Sequence, residues 1–232
     1  MTNSMHSFEN GDALADALAA TVAEKLASAI ADKGTASLAV SGGSTPKAFF
    51  RALSTAPIEW TNVHVTLVDE RFVPEDNPRS NHLLVNENLL VGPAAKARFI
   101  PLYQPVETAE EAAEIVTNKA SAASLPFDVV ILGMGTDGHT ASFFPGGDTL
   151  AKALDKNTPA GVMAMNAETA GEARLTFTFS SLENASLLVL HIEGEKKMDV
   201  LNKALAGDDE AEMPIRAVLN RASSPVEIYW AP

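Results

Sequence analysis

The chain has 232 residues, a net charge of −13, 46% hydrophobic and 20% charged residues, and no cysteine. This length fits one larger α/β domain, and the composition excludes wholesale disorder. The missing cysteine excludes disulfides, a thiolate zinc site and a cysteine nucleophile. The acidic charge, with no basic run to offset it, argues against nucleic acid or a phospholipid surface as partner.

No stretch approaches about 18 consecutive apolar residues, and the opening residues carry acids without a basic n-region. Neither a membrane-spanning helix nor a signal peptide is expected, and the composition predicts a soluble, cytoplasmic protein. A small anion remains open as a ligand, because a few local cations can hold one inside an acidic protein.

Read in chain order, Leu14, Leu18, Val22, Leu26 and Ile30 recur at four-residue spacing. They predict a helix over 12–30, ended near Gly34 as a C-terminal glycine. Ser37–Val40 reads as a buried strand, followed at once by Ser41-Gly42-Gly43-Ser44-Thr45-Pro46 and a helix over 47–53. Val63–Val68 is a second strand, running out into Asp69-Glu70-Arg71. A helix over 80–90, a short extended piece at 99–102 and a helix over Thr108–Ser124 follow. Acids early in that last helix suit its dipole.

Phe127–Leu132 reads as the clearest strand, apolar except for Asp128 and with three β-branched residues, and it empties into Gly133-Met134-Gly135-Thr136-Asp137-Gly138-His139-Thr140. Arg174–Phe179 and Ser186–Ile192 read as strands, 150–154 and 196–205 as helices, and 225–230 as a closing strand. His6 falls in an N-terminal tail. Buried strands alternating with amphipathic helices predict an α/β fold, mostly parallel, with helices on both faces. No composition shift divides it, so 1–232 is read as one domain.

In open α/β sheets, ligands sit beyond the carboxyl ends of the strands. Three polar segments fall there: 41–46, 69–71 and 133–140. The glycines of the first let backbone amides approach a ligand ahead of a helix, which is an anion site. The third matches G-x-G-x-x-G, but no acid follows at the end of a next strand, as dinucleotide binding needs. His139 is the best-placed general base, since imidazole titrates near neutrality. Asp137, two residues earlier, is placed to orient it. No nucleophile elbow supports a serine hydrolase through Ser142. No histidine pair has metal-ligand spacing.

Together these segments resemble the 6-phosphogluconolactonase family of sugar-phosphate enzymes. The residues that carry the likeness are Ser41 to Pro46, Asp69-Glu70-Arg71-Phe72-Val73-Pro74 with Ser80-Asn81 and Leu89-Leu90, the run from Leu132 to Gly146, Arg174-Leu175-Thr176, and Gly194-Glu195-Lys196-Lys197. The D-G-H-T-A-S-x-F-P-G stretch is the most specific.

The resemblance implies a modified Rossmann-like fold shared with sugar-phosphate isomerases and deaminases, and hydrolysis of a small sugar-phosphate lactone without metal, nucleotide or other cofactor. It implies that Ser41, Gly42, Gly43, Ser44 and Thr45 hold the phosphate with Arg174 and Lys197, the latter preferred over Lys196 by its spacing from Gly194. His139 is then the base, Asp137 its partner, and Arg71 faces the charge developing on the carbonyl. A monomer or weak homo-oligomer is expected. The alternative of the same fold is an amino-sugar-phosphate deaminase or sugar-phosphate isomerase. Asp69 or Glu70 would be its base, but the run after His139, Ser142-Phe143-Phe144-Pro145, lacks the deaminase acid. Arg79, where the family varies, is assigned at most anion steering.

Overall fold

The computed structural model describes residues 3–123 and 125–232. In chain order it comprises β1 (Ser4–Ser7), α1 (Gly11–Lys33), β2 (Ala36–Val40), α2 (Lys47–Ser54), β3 (Val63–Leu67), β4 (Asp69–Arg71), α3 (Asn81–Asn88), β5 (Arg98–Ile100) and α4 (Ala109–Ala123). There follow β6 (Val129–Leu132), α5 (Leu150–Leu154), β7 (Val162–Met165), β8 (Arg174–Phe177), α6 (Phe179–Leu182), β9 (Leu187–Glu193), α7 (Glu195–Leu205), α8 (Ile215–Arg221) and β10 (Val226–Ala231).

Seven strands form one parallel sheet in the order β1-β10-β9-β6-β2-β3-β5. The central strands β2 and β6 are buried along their whole length, as their runs of Ala, Leu, Val and Ile dictate. The edge strand β1 alternates between half-buried and exposed positions, and the other edge strand exposes Arg98. The expected α/β fold with a mostly parallel sheet is therefore the observed one.

From β1 through β5 the chain steps across this sheet in one direction; from β6 through β10 it steps in the other. Parallel crossovers are right-handed, so the two directions put their helices on opposite faces. The reversal lies between β2 and β6, whose Val40 and Ile131 are paired in register. That junction is the topological switch point where α/β sheets open a crevice.

The helices follow their capping chemistry. Asn10 accepts the Ala13 amide to start α1, and Gly34, at φ +83°, returns its N–H to the Ile30 carbonyl to end it. Leu14, Leu18, Val22 and Leu26 are fully buried, so the expected apolar stripe is the packing face. Ser80 caps α3 through the Leu83 amide, and the Thr108 hydroxyl accepts the Glu111 amide at the start of α4. The expected end of that helix at Ser124 lies outside the described residues.

The fold departs from the sequence reading in its smaller pieces. Asp69–Arg71 is not a loop but a strand of a second, antiparallel sheet in the order β4-β8-β7. The strand expected over 174–179 stops at Phe177, because Thr178 turns the chain into α6. His6 is not in a tail: it belongs to β1, where Glu227 of β10 holds its Nε2 at 2.6 Å. The pieces β7, α6 and α8 were not anticipated, being four to seven residues long.

Candidate active site

A cavity of about 390 Å³ opens beyond the carboxyl ends of β2, β3, β6 and β9. That is the size of a small-ligand site. Its rim brings together all three polar segments singled out in the sequence.

The loop between β2 and α2 contributes backbone. Ser41 bridges the switch point: its amide and its hydroxyl both donate to the Ile131 carbonyl at 3.0 Å, and its Oγ accepts the Gly133 amide at 3.0 Å. Ser41 is thus a brace of the loop, with no donor left for a ligand. Gly42 lies so close to Asn81 that a Cβ would stand 1.8 Å from its Oδ1, and Gly43 sits at φ +95°. Among the described residues no acceptor takes the amides of Gly42 to Thr45. They run up to the start of α2 and form a ready donor set for an anion.

The loop after β6 contributes the base. It folds on itself through bonds from Gly135 N to the His139 carbonyl (2.8 Å), Gly138 N to the Gly135 carbonyl (3.2 Å) and Thr140 Oγ1 to the Gly133 carbonyl (2.7 Å). Gly135 must be glycine, since a Cβ there would lie 2.1 Å from His139 Nδ1. Asp137 Oδ1 holds His139 Nδ1 at 2.6 Å and also accepts the His139 amide at 3.1 Å. Partial burial pushes the Asp137 carboxyl up, but the hydrogen bond and charge of His139 outweigh it and hold it at about 2. With Nδ1 engaged, Nε2 is the nitrogen left to take a proton. Asp137 stands behind the imidazole and outside the cavity lining, whereas His139 lines it.

The small sheet contributes cations. Arg71 of β4 and Arg174 of β8 are cross-strand partners. Arg71 Nη1 donates to the Arg79 carbonyl, and Arg174 Nη2 to the Ala170 carbonyl at 2.8 Å. Each keeps a buried Nε without a partner. Placing like charges opposite one another is costly, and Asp69 and Glu172 act on Arg174 as counter-charges, with Glu172 Oε1 3.9 Å from its Nη2. Burial lowers the Arg174 pKa and Asp69 opposes that. Arg174 lies over the Phe144 ring at 5.3 Å, and the His139 ring lies 4.5 Å from the same phenyl.

The fourth corner is the first turn of α7. Gly194, at φ +89°, turns the chain, and Lys197 reaches the Met134 carbonyl at 2.6 Å. Burial lowers its pKa while Asp137 raises it. Lys197 lines the cavity; Lys196 is exposed and outside it.

The carboxylates considered for isomerase chemistry are differently employed. Glu70 is fully buried and accepts four bonds, from Arg71 N, Ser80 Oγ, Asn81 N and His82 N, so it ties β4 to the start of α3. Asp69 accepts the hydroxyl of the fully buried Ser142 at 2.6 Å. That hydroxyl points to Asp69 and not to His139, so no serine triad forms. The residues after Gly138 open no helix, as a dinucleotide fingerprint requires; α5 begins only at Leu150. Among the described residues no group of His, Cys, Asp and Glu is placed to hold a metal ion, and no helix is long and apolar enough to cross a membrane.

The match to the family model for glucosamine-6-phosphate isomerases/6-phosphogluconolactonase spans residues 9–230. The chain belongs to this family. It is 65% identical over 232 residues to a 6-phosphogluconolactonase of Rhizobium meliloti, covering 100% of both chains. It is 51% identical over 229 residues to one of Mesorhizobium japonicum, covering 98% of this chain and 94% of the relative. A crystal structure of a 6-phosphogluconolactonase from Shewanella baltica superposes with a TM-score of 0.95 at 42% identity, over 99% of this chain and 98% of that one.

Within the family's sequence pattern, Asn81 and Phe144 were visible as motif letters, but their contacts with Gly42 and with His139 and Arg174 were not. Thr169 and His191 also line the cavity, and no motif marked them.

Proposed function

We propose that the protein hydrolyses 6-phospho-D-glucono-1,5-lactone to 6-phospho-D-gluconate, the lactone-opening step of the oxidative pentose phosphate pathway. The observation that carries this reading is His139, held from behind by Asp137, lining one cavity with backbone amides and three cations. Support comes also from the 65% identical relative, which is named for this activity.

In this reading the phosphate sits on the amides of Gly42 to Thr45, with Lys197 and Arg174 as its cations. Ser41 serves by holding that loop against β6. His139 Nε2 takes a proton from water as the oxygen attacks the lactone carbonyl. Asp137 fixes the tautomer and stabilises the imidazolium that forms. Arg71 faces the oxygen on which charge develops, where a preorganised donor contributes roughly 10²–10³-fold. The ring-opened alkoxide then recovers a proton from the imidazolium. A lactone is labile enough that no covalent nucleophile is needed, which fits the burial of Ser142.

The deaminase or isomerase alternative needs a free carboxylate base. Glu70 is saturated by four donors, and Asp69, though it lines the cavity, accepts the Ser142 hydroxyl, which favours the lactonase. The protein is read as one domain over 1–232, cytoplasmic, working without cofactor as a monomer or weak homo-oligomer on a small molecule and not on nucleic acid. The net charge of −13 supports that last point.

The test is lactone hydrolysis, with the substrate generated in situ by glucose-6-phosphate dehydrogenase, measured against the spontaneous rate. Clear acceleration, with no turnover of glucosamine 6-phosphate, is the expected result. No acceleration overturns the assignment.

A further inference from the structure

The mechanism leaves unused the most heavily bonded arginine of the molecule. Arg216, in the first turn of α8, is 3% exposed. Its Nε donates to the Ala204 carbonyl at 3.0 Å and its Nη2 to the Lys203 carbonyl at 3.2 Å, both in the last turn of α7. Its Nη1 donates to the Asp209 carbonyl at 2.9 Å and to Glu212 Oε2 at 2.6 Å. Gly207 makes room for the guanidinium, since a Cβ there would stand 2.3 Å from Nη2. One side chain therefore locks the end of α7, the connecting segment and the start of α8 into a single piece.

That piece touches the catalytic loop at Gly138. The Ile215 amide donates to the Gly138 carbonyl at 2.9 Å, and Met213, itself buried, packs against Gly138 from behind. Gly138 holds φ +80° between Asp137 and His139. The opposite side of this loop carries the imidazole. Lys197 has its own tie to the β6 loop through the Met134 carbonyl, so it does not depend on this support.

We propose that Arg216 and Met213 are positioning residues for His139: they seat Gly138, and through it set where the His139–Asp137 pair stands in the cavity. This rests on the lactonase reading for its kinetic test but not for its spectroscopic one. A base displaced by about 1 Å loses on the order of 10²-fold, so a loosened seat should reduce turnover without emptying the phosphate site.

Arg216→Met and Met213→Ala are compared with wild type well below their own melting temperatures. The expected result is a fall in kcat of about tenfold or more, while the Kd of 6-phosphogluconate changes less than about threefold. In parallel, the proton shared by His139 Nδ1 and Asp137 is followed by NMR. It is expected to broaden or shift upfield in both variants. Met213→Ala keeps the arginine lock, so it remains informative if Arg216→Met does not fold. Unchanged kcat and an unchanged imidazole resonance in a folded variant overturn the proposal. So does a parallel loss of turnover and product affinity, which would mark general loosening. If wild type proves inactive on the lactone, the NMR comparison still decides whether this segment seats His139.

Discussion

The seven-stranded sheet reaches the cavity with backbone, and the three-stranded sheet reaches it with side chains. The loops after β2 and β6 present unspent amides and one imidazole, and three of their glycines, Gly42, Gly135 and Gly138, have no room for a Cβ. Strands β4 and β8 present two guanidiniums, cross-strand partners with a buried unpartnered Nε each. The difference teaches where each half is fragile. The first half should fail when Gly42, Gly135 or Gly138 gains a methyl group. The second should fail only when a charged side chain is shortened.

The largest effect belongs to the one side chain of the backbone half that does chemistry. His139→Ala should lower kcat by about 10²–10⁴-fold, the usual worth of a placed general base. Binding of 6-phosphogluconate should persist, since the phosphate donors remain. A mutant turning over near the wild-type rate would remove His139 from the mechanism.

Gly135→Ala sharpens the contrast, because it leaves every functional group in place. Its Cβ would lie 2.1 Å from His139 Nδ1 and 2.5 Å from Asp137 Oδ1, so the pair must move. A loss on the order of 10²-fold in kcat is expected from misplacement alone. A fully active Gly135→Ala enzyme would break the claim that this half is built by backbone.

The side-chain half should respond in affinity. Arg174→Met keeps an unbranched apolar side chain and deletes the guanidinium that lies over Phe144. Loss of a charged hydrogen bond is worth about 1.5–3 kcal/mol, so KM should rise about 10–100-fold. With kcat changed less than about threefold, Arg174 would be a binding group. A fall in kcat at constant KM would instead move Arg174 to the reacting carbonyl, beside Arg71.

The two halves also differ in how far the sequence revealed them. The β2 and β6 loops could be read because each follows a short apolar run, Leu38–Val40 and Val129–Leu132, and carries its glycines at a strand end. His139 stood out for the same reason. Strand β4 has three residues and continues directly from β3, so nothing local marks its change of sheet. The facing of Arg71 and Arg174 arises from pairing across about a hundred positions. Asn81 under Gly42, and Met213 behind Gly138, are likewise long-range contacts between segments of ordinary composition. Local periodicity carries strands and helices; it does not carry which side chain closes against which glycine.

The smallest effect tests the electrostatics that separate the halves. Arg174 is buried, but the Asp137–His139 pair is part-exposed, with 40% of the Asp137 side chain open to solvent. The Asp137 carboxyl is held at about 2, below the 3.8 of a free aspartate side chain. A depressed carboxylate pKa stabilises the fold fully above its unfolded value and loses that contribution as pH falls through the folded one. The window is therefore from near pH 4 down to near pH 2. Solvent screening keeps the contribution in the range of an exposed pair, about 0–1 kcal/mol. Denaturant unfolding of wild type and Asp137→Asn should show wild type ahead at pH 5 and the two converging near pH 2. If the gap instead stays constant across that window, the carboxylate is not held by its imidazole in the folded protein. Asp137 would then be a cap of its loop, and the orientation of His139 would rest on Gly135 and Gly138 alone.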